Sequence, residues 1–135
     1  MAGRVRGTAV AVLLAAALGA CGTVPERHDQ VRDAATAFEH ALRERAYDRV
    51  CALLAPGTRE ELEQSSGSPC PDAVGEEPLP AGGAVRTTDV HGNQARAVLT
   101  TDTLFLSHFD AGWKVVAAGC EPRGERPYQC RIKGG

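Results

Sequence analysis

Residues 103–118 read TLFLSHFDAGWKVVAA, and the reading of this stretch decides the fold. Thr103–Phe109 is a seven-residue run that is apolar on both faces and rich in β-formers, as expected of a strand inside a sheet. Asp110-Ala111-Gly112 supplies a turn. Trp113–Ala118 then returns, with Trp113, Val115 and Ala117 on one face. Two apolar runs joined by a short glycine-containing turn make a hairpin.

Working outward, the same period of two continues. On the N-terminal side, Gln94–Thr101 alternates Ala95, Ala97 and Leu99 against Arg96, Val98 and Thr100. Val85, Thr87 and Val90 lead into it through His91-Gly92-Asn93, whose residues tolerate a left-handed backbone. On the C-terminal side, Tyr128–Lys133 reads as a last strand.

Before Ala84 the period is different. Val31, Ala34, Ala35, Phe38, Ala41 and Leu42 recur at helical spacing, with Arg32, Asp33, Glu39, Arg43 and Glu44 assigned to the polar side. This predicts an amphipathic helix over about 28–45. Ala46-Tyr47-Asp48 interrupts it, and Asp48 is placed to cap a second short helix carrying Val50, Cys51, Leu53 and Leu54. Ala55-Pro56-Gly57 ends that helix, and Thr58 with Glu61 forms the capping-box pattern of a third. Residues 65–84 hold Pro69, Pro71, Pro78 and Pro80 among glycines and read as loop, with one helical turn at Asp72-Ala73-Val74. Helices first and strands afterwards predict an α+β domain with the helices on one face of a curved antiparallel sheet. An all-β sandwich would need strands where the Phe38 helix stands.

The stretches around Ala35-Thr36-Ala37-Phe38, YDRVCALLAP over 47–56, DAGWKV over 110–115, and Cys120 followed by PYQC over 127–130 resemble small actinobacterial lipoproteins of unknown function. These are generally placed near the nuclear-transport-factor-2-like (cystatin-like) superfamily. The resemblance spans nearly the whole chain after the leader and rests on structural motifs. It implies a cone-shaped α+β roll whose sheet curls round a pocket. Such rolls include enzymes as well as members with no known catalysis, so the fold transfers no chemistry.

The first 20 residues read as an address. Arg4 and Arg6 precede the apolar run TAVAVLLAAALG at 8–19, the length of a signal-peptide core and too short to cross about 30 Å of hydrocarbon. Leu18-Gly19-Ala20-Cys21 resembles the bacterial lipobox. That resemblance implies cleavage after Ala20 and diacylglyceryl transfer to Cys21, so that 1–20 is a lipoprotein signal peptide. Residues 21–27, with Pro25 disfavouring early helix, are then a lipid-anchored tether, and 28–135 a single roll domain at the outer face of the cell membrane. Two acyl chains hold a protein stably where one holds it marginally. Removing Arg4 and Arg6 from the 15 basic side chains leaves 13 against 17 acidic, which offers nucleic acid no electrostatic footprint.

With Cys21 lipidated, Cys51, Cys70, Cys120 and Cys130 remain. An even number in an exported domain reads as two disulfides with three possible pairings. Closeness in sequence favours Cys51–Cys70 and Cys120–Cys130. No Cys-x-x-Cys or His-x-x-x-His spacing supports a zinc site.

For chemistry, His28, His40 and His91 read as solvated, whereas His108 alternates with Leu104 and Leu106. His108 could thus face the interior beside Asp102 or Asp89 and move a proton; the plainer reading is a strand-end histidine beside a hairpin. Phe38, Leu42, Leu104, His108 and Trp113 are the candidate pocket residues. No Gly-x-Ser-x-Gly elbow or glycine-rich strand-to-helix loop points to a nucleophile or cofactor, and Gly82-Gly83 reads as plain loop. The expected function is a non-catalytic binding or accessory module at the cell envelope. Its expected partners are the membrane through the anchor, and an envelope protein or a small apolar ligand. The alternative is a roll-fold enzyme doing acid–base chemistry on a small hydrophobic substrate through His108.

Overall fold

The structure is a computed structural model that describes residues 3 and 22–134, so the lipobox and the leader before it lie outside the described residues. Four helices, α1 (Val24–Arg43), α2 (Tyr47–Leu53), α3 (Pro56–Ser66) and α4 (Cys70–Glu76), precede five strands. The strands β1 (Val85–His91), β2 (Gln94–Leu99), β3 (Thr103–Phe109), β4 (Gly112–Arg123) and β5 (Arg126–Lys133) form one antiparallel meander in sequence order. The α+β class, the order of its halves and the favoured disulfide pairing are as read from the sequence.

The core lies between α1 and one face of the sheet. Val31, Ala35, Phe38, Ala41 and Leu42 of α1 meet Ala95, Ala97 and Leu99 of β2, Leu104 and Leu106 of β3, and Trp113 and Val115 of β4. These are the inward residues of the two periods, which is why helix and sheet fit without apolar residues to spare. The alternate residues Arg96, Val98, Phe105 and Ser107 lie on the other face and are half-buried.

Four local expectations are corrected. The first helix begins at Val24, not His28. Thr23 Oγ1 accepts from Glu26 N–H, and Glu26 Oε2 accepts from Thr23 N–H at 2.9 Å. Pro25 stands in the first turn, where a missing N–H costs nothing, so it favours the start of the helix over which it was read as a brake. Asp48 is inside α2 and makes no cap; Ala46 precedes the helix. Thr58 opens nothing either, since Pro56 begins α3 and the buried Thr58 hydroxyl donates to Val116 O at 2.8 Å. Finally, the loop over 65–84 contains α4, two turns long, because Cys70 is tied to Cys51.

Strand β4 is longer than its apolar run and changes partner along its length. Its first half pairs with β3, and Ala117–Arg123 pairs with β5. Where β5 ends, the free edge of β4 is covered by the α2–α3 junction: Ala55 N–H donates to Val115 O at 2.8 Å, beside the Thr58 bond. Covering an edge in this way removes a template for pairing with other chains.

Closing loops of 19 and 10 residues is worth about 3 kcal/mol each on the chain-entropy model. The Cys51–Cys70 bridge carries more than its loop, because seven-residue α4 is too short to hold as an isolated helix. Replacing Cys51 and Cys70 together by Ser should therefore lower the urea midpoint more than replacing Cys120 and Cys130, which already sit opposite each other in a hairpin. Equal losses in the two double variants would contradict this.

Candidate functional site

Glu39 belongs to the buried side of α1, although the sequence reading placed it with the polar residues. It stands four residues after Ala35, directly after Phe38 and three before Leu42, at the margin of the apolar stripe. The chain leaving α4 crosses this margin, and Glu39 is left 2 % exposed. Its Oε2 accepts from Gly82 N–H at 2.5 Å, while Oε1 is buried with no hydrogen-bond partner. Burial pushes the Glu39 carboxyl up to about 7; the Gly82 hydrogen bond opposes this, and the negative charge of Asp102 adds to it.

Asp102 lies on the other side of Gly82. Its Oδ1 accepts from Thr103 N–H at 2.7 Å and Cys120 N–H at 2.8 Å, and its Oδ2 from Gly119 N–H at 3.0 Å. Gly119 has φ +64°, and burial switches parity here, from Trp113, Val115 and Ala117 to Ala118 and Cys120. A carboxylate accepting three N–H groups thus holds the irregular strand that passes from β3 to β5. Gly82 O accepts from Thr101 N–H at 2.9 Å, closing the joint between the crossing loop and the sheet. Gly82-Gly83, read as plain loop, is therefore the point where helix and sheet are fastened.

Two clefts open beside this joint. A smaller one, about 330 Å³, is bordered by Arg32, Glu39, Arg43 and Val85. A larger one, about 650 Å³, lies between the end of α1 and the proline-rich crossing segment. Its lining combines Leu42, Val74 and Leu79 with Arg43, Arg45, Arg131 and the acidic Glu77, and the Arg131 guanidinium donates to Pro78 O. None of these three arginines is in an ion pair among the described residues. Arg45 has φ 54°, the left-handed turn that ends α1, with Ala46 N–H donating to Ala41 O at 2.9 Å. Glycine is the usual residue there, and a side chain in that conformation costs about 1 kcal/mol.

The residues singled out from the sequence are placed differently. Phe38, Leu42, Leu104 and Trp113 all belong to the packed core, from which Leu42 also reaches the lining of the larger cleft. His108 is exposed beyond the core, edge-on to Trp113 with ring centroids 5.1 Å apart. Asp102 precedes β3 and His108 nearly ends it, a separation of about 20 Å along a strand. Asp89 is engaged by Arg96 at 2.7 Å. The proposed His108–carboxylate pair is thus not assembled. His40 is exposed and 3.3 Å from Glu44; His28 is half-buried, its Nδ1 2.7 Å from Thr88 Oγ1. All four cysteines after Cys21 are disulfide-bonded, and no cluster suited to a metal ion occurs among the described residues. Comparison of the chain with protein-family models, with curated proteins and with solved structures finds no match.

The raised Glu39 carboxyl has a consequence for stability. The folded protein holds this proton up to about pH 7, whereas the unfolded chain releases it near 4.5. Its contribution is complete below 4.5 and is lost as pH rises through 7, a change of about 2–3 kcal/mol. Denaturant titrations of the wild type and Glu39→Gln should diverge with rising pH, the variant gaining relative to the wild type between pH 5 and 8. A constant difference would show that Glu39 is not the group. Separately, a Cβ at Gly82 would lie 2.5 Å from that of Asp102, so Gly82→Ala should destabilise by about 1–3 kcal/mol. An unchanged urea midpoint would contradict that packing.

Proposed function

We propose that this protein is a lipid-anchored, extracytoplasmic binding module of the cell envelope, whose ligand is an anion on an apolar body seated in the larger cleft. The observation that carries the binding role is the cleft itself: three arginines outside any ion pair against the single carboxylate of Glu77, around a mixed polar and apolar lining. Guanidinium groups match carboxylate and phosphate oxygens, and Leu42, Val74 and Leu79 offer contact to an apolar remainder. Arg45 retains a conformation that a glycine would adopt at less cost, which suits a side chain kept for contact. The negative end of the α1 dipole also favours cations here and accounts for part of the arginine content.

Anchoring is supported by Leu18-Gly19-Ala20-Cys21, by the disulfides expected of an oxidising compartment, and by the early start of the fold. Thr23, the cap of α1, is two residues after Cys21, so the intended tether is reduced to almost nothing. No helix among the described residues is long and apolar enough to cross a membrane. A second reading, an acid–base enzyme, moves from His108 to Glu39, whose carboxyl is poised near neutrality beside a cleft. It is disfavoured by the sealing of Oε1 inside the protein.

Two measurements test this reading. Cys21→Ala should abolish acylation, seen by mass spectrometry of the N-terminal peptide, and leave the protein unprocessed or released from membranes. Mature membrane-bound protein from that variant would defeat the anchor. Dodecanoate should bind the purified wild type in a calorimetric titration, and Arg45→Ala with Arg131→Ala should weaken it tenfold or more. Equal affinity in both would remove the cleft from consideration.

A further inference from the structure

The end of the domain where α1 begins differs from the rest of the surface. Val24 is 71 % exposed and Phe109 38 %, and these are the exposed large hydrophobic residues among those described. They are remote in sequence and on opposite sides of the sheet, Val24 on α1 and Phe109 alternating with Phe105 and Ser107 on the other face, yet the fold brings them to one end. Arg27, one turn beyond Val24, donates to Gly92 O in the β1–β2 turn and lies over the Trp113 ring, 5.5 Å from its centroid. Trp113 is the cross-strand partner of His108, whose N–H donates to Asn93 O at 2.9 Å in that same turn. Phe109 follows His108 and pairs with Gly112 across the β3–β4 turn. The start of α1 and two hairpin turns therefore close one end, with Trp113 beneath them, 6 % exposed and its indole Nε1 without an acceptor.

Single exposed apolar residues need no explanation. These two coincide with the end at which the chain arrives from Cys21. Val24 is three positions after Cys21, a reach of at most about 11 Å even when fully extended. An acylated Cys21 lies at the level of the lipid headgroups, so Val24 cannot stand clear of the leaflet.

We propose that this end is a seat on the phospholipid surface, with Val24 and Phe109 entering the headgroup region and Trp113 and Arg27 at its polar margin. The inference rests on the anchor reading and deepens it: the acyl chains hold the protein, and the seat fixes how it stands. Amphipathic and aromatic side chains gain at such a boundary because one end is apolar and the other wet. Acidic Glu26, Asp29 and Asp110 share this region with Arg27, so the contact is apolar and needs no anionic lipid. Helix α1 runs 20 residues, about 30 Å, from this end to the arginine cleft. Seated in this way, the domain presents the cleft away from the bilayer.

The test uses the lipid-modified protein purified from membranes and reconstituted into phosphatidylcholine vesicles. Trp113 is the single tryptophan of the chain and reports on this end alone. Phosphatidylcholine brominated near the carbonyl end of its acyl chains should quench Trp113. Val24→Asp with Phe109→Asp should reduce that quenching severalfold while the protein still sediments with the vesicles and keeps its unfolding midpoint. Phe109→p-benzoylphenylalanine, irradiated in the same vesicles, should give an adduct with the mass of the lipid. Acylated, vesicle-bound protein whose Trp113 is not quenched, or whose residue 109 cross-links to a second copy, overturns the seat and leaves the anchor intact. Protein that carries no acyl group and stays in the supernatant overturns both.

Discussion

A helix laid on a sheet is held by apolar contact, which has no direction of its own; here the direction comes from one small polar joint. Gly82 passes between α1 and the sheet, giving its N–H to Glu39 and its carbonyl to Thr101, with Asp102 against its α-carbon. Only a residue without a Cβ fits. The same Asp102 accepts the N–H groups of Gly119 and Cys120, where β4 turns from one neighbour to the next. Helix, crossing loop and both halves of β4 thus meet within a few bonds of one glycine.

The joint also concentrates negative charge in a place that disfavours it. Asp102 receives three N–H groups, whereas Glu39 receives one from Gly82 and keeps an oxygen unpaired. Burial is the main reason that Glu39 retains its proton, and the negative charge of Asp102 adds to it. Glu39 is therefore a neutral acid through much of the ordinary pH range. In a domain with few buried polar groups, such a residue is costly to keep at neutral pH. Glu39 lines the smaller of the two clefts, and Arg43 borders both.

The molecule is polar in the geometric sense. One end gathers Val24, which closely follows Cys21 in sequence, with Phe109 and a tryptophan covered by arginine. The other gathers Arg43, Arg45 and Arg131, with Glu77, around a hollow of mixed lining. The length of α1 separates them, and the Cys51–Cys70 disulfide ties together α2 and α4, which contribute to the wall of the hollow. A proposed anchor at one end and a proposed binding cleft at the other are consistent with a domain displayed outward from a membrane.

Much of this fold was legible in residues 84–133, because a period of two, punctuated by His91-Gly92-Asn93 and Asp110-Ala111-Gly112, leaves a meander little alternative. The Phe38 stripe likewise determined α1, and the spacing of four cysteines favoured the pairing that forms. What the sequence could not decide were relations between residues that are distant along it. Glu39 looks like any charged residue at a stripe margin until Gly82 crosses over it, and His108 continues an inward alternation that the core does not extend far enough to cover. Pro25 and Thr58 carry the right local chemistry for signals that neighbouring residues assign otherwise. Local period and turn chemistry therefore set most of the elements, closeness in sequence favoured the disulfide pairing, and the leader carried the expected address. Burial, which depends on what lands on top of a residue, was decided only by the tertiary structure, and with it the identity of the candidate site.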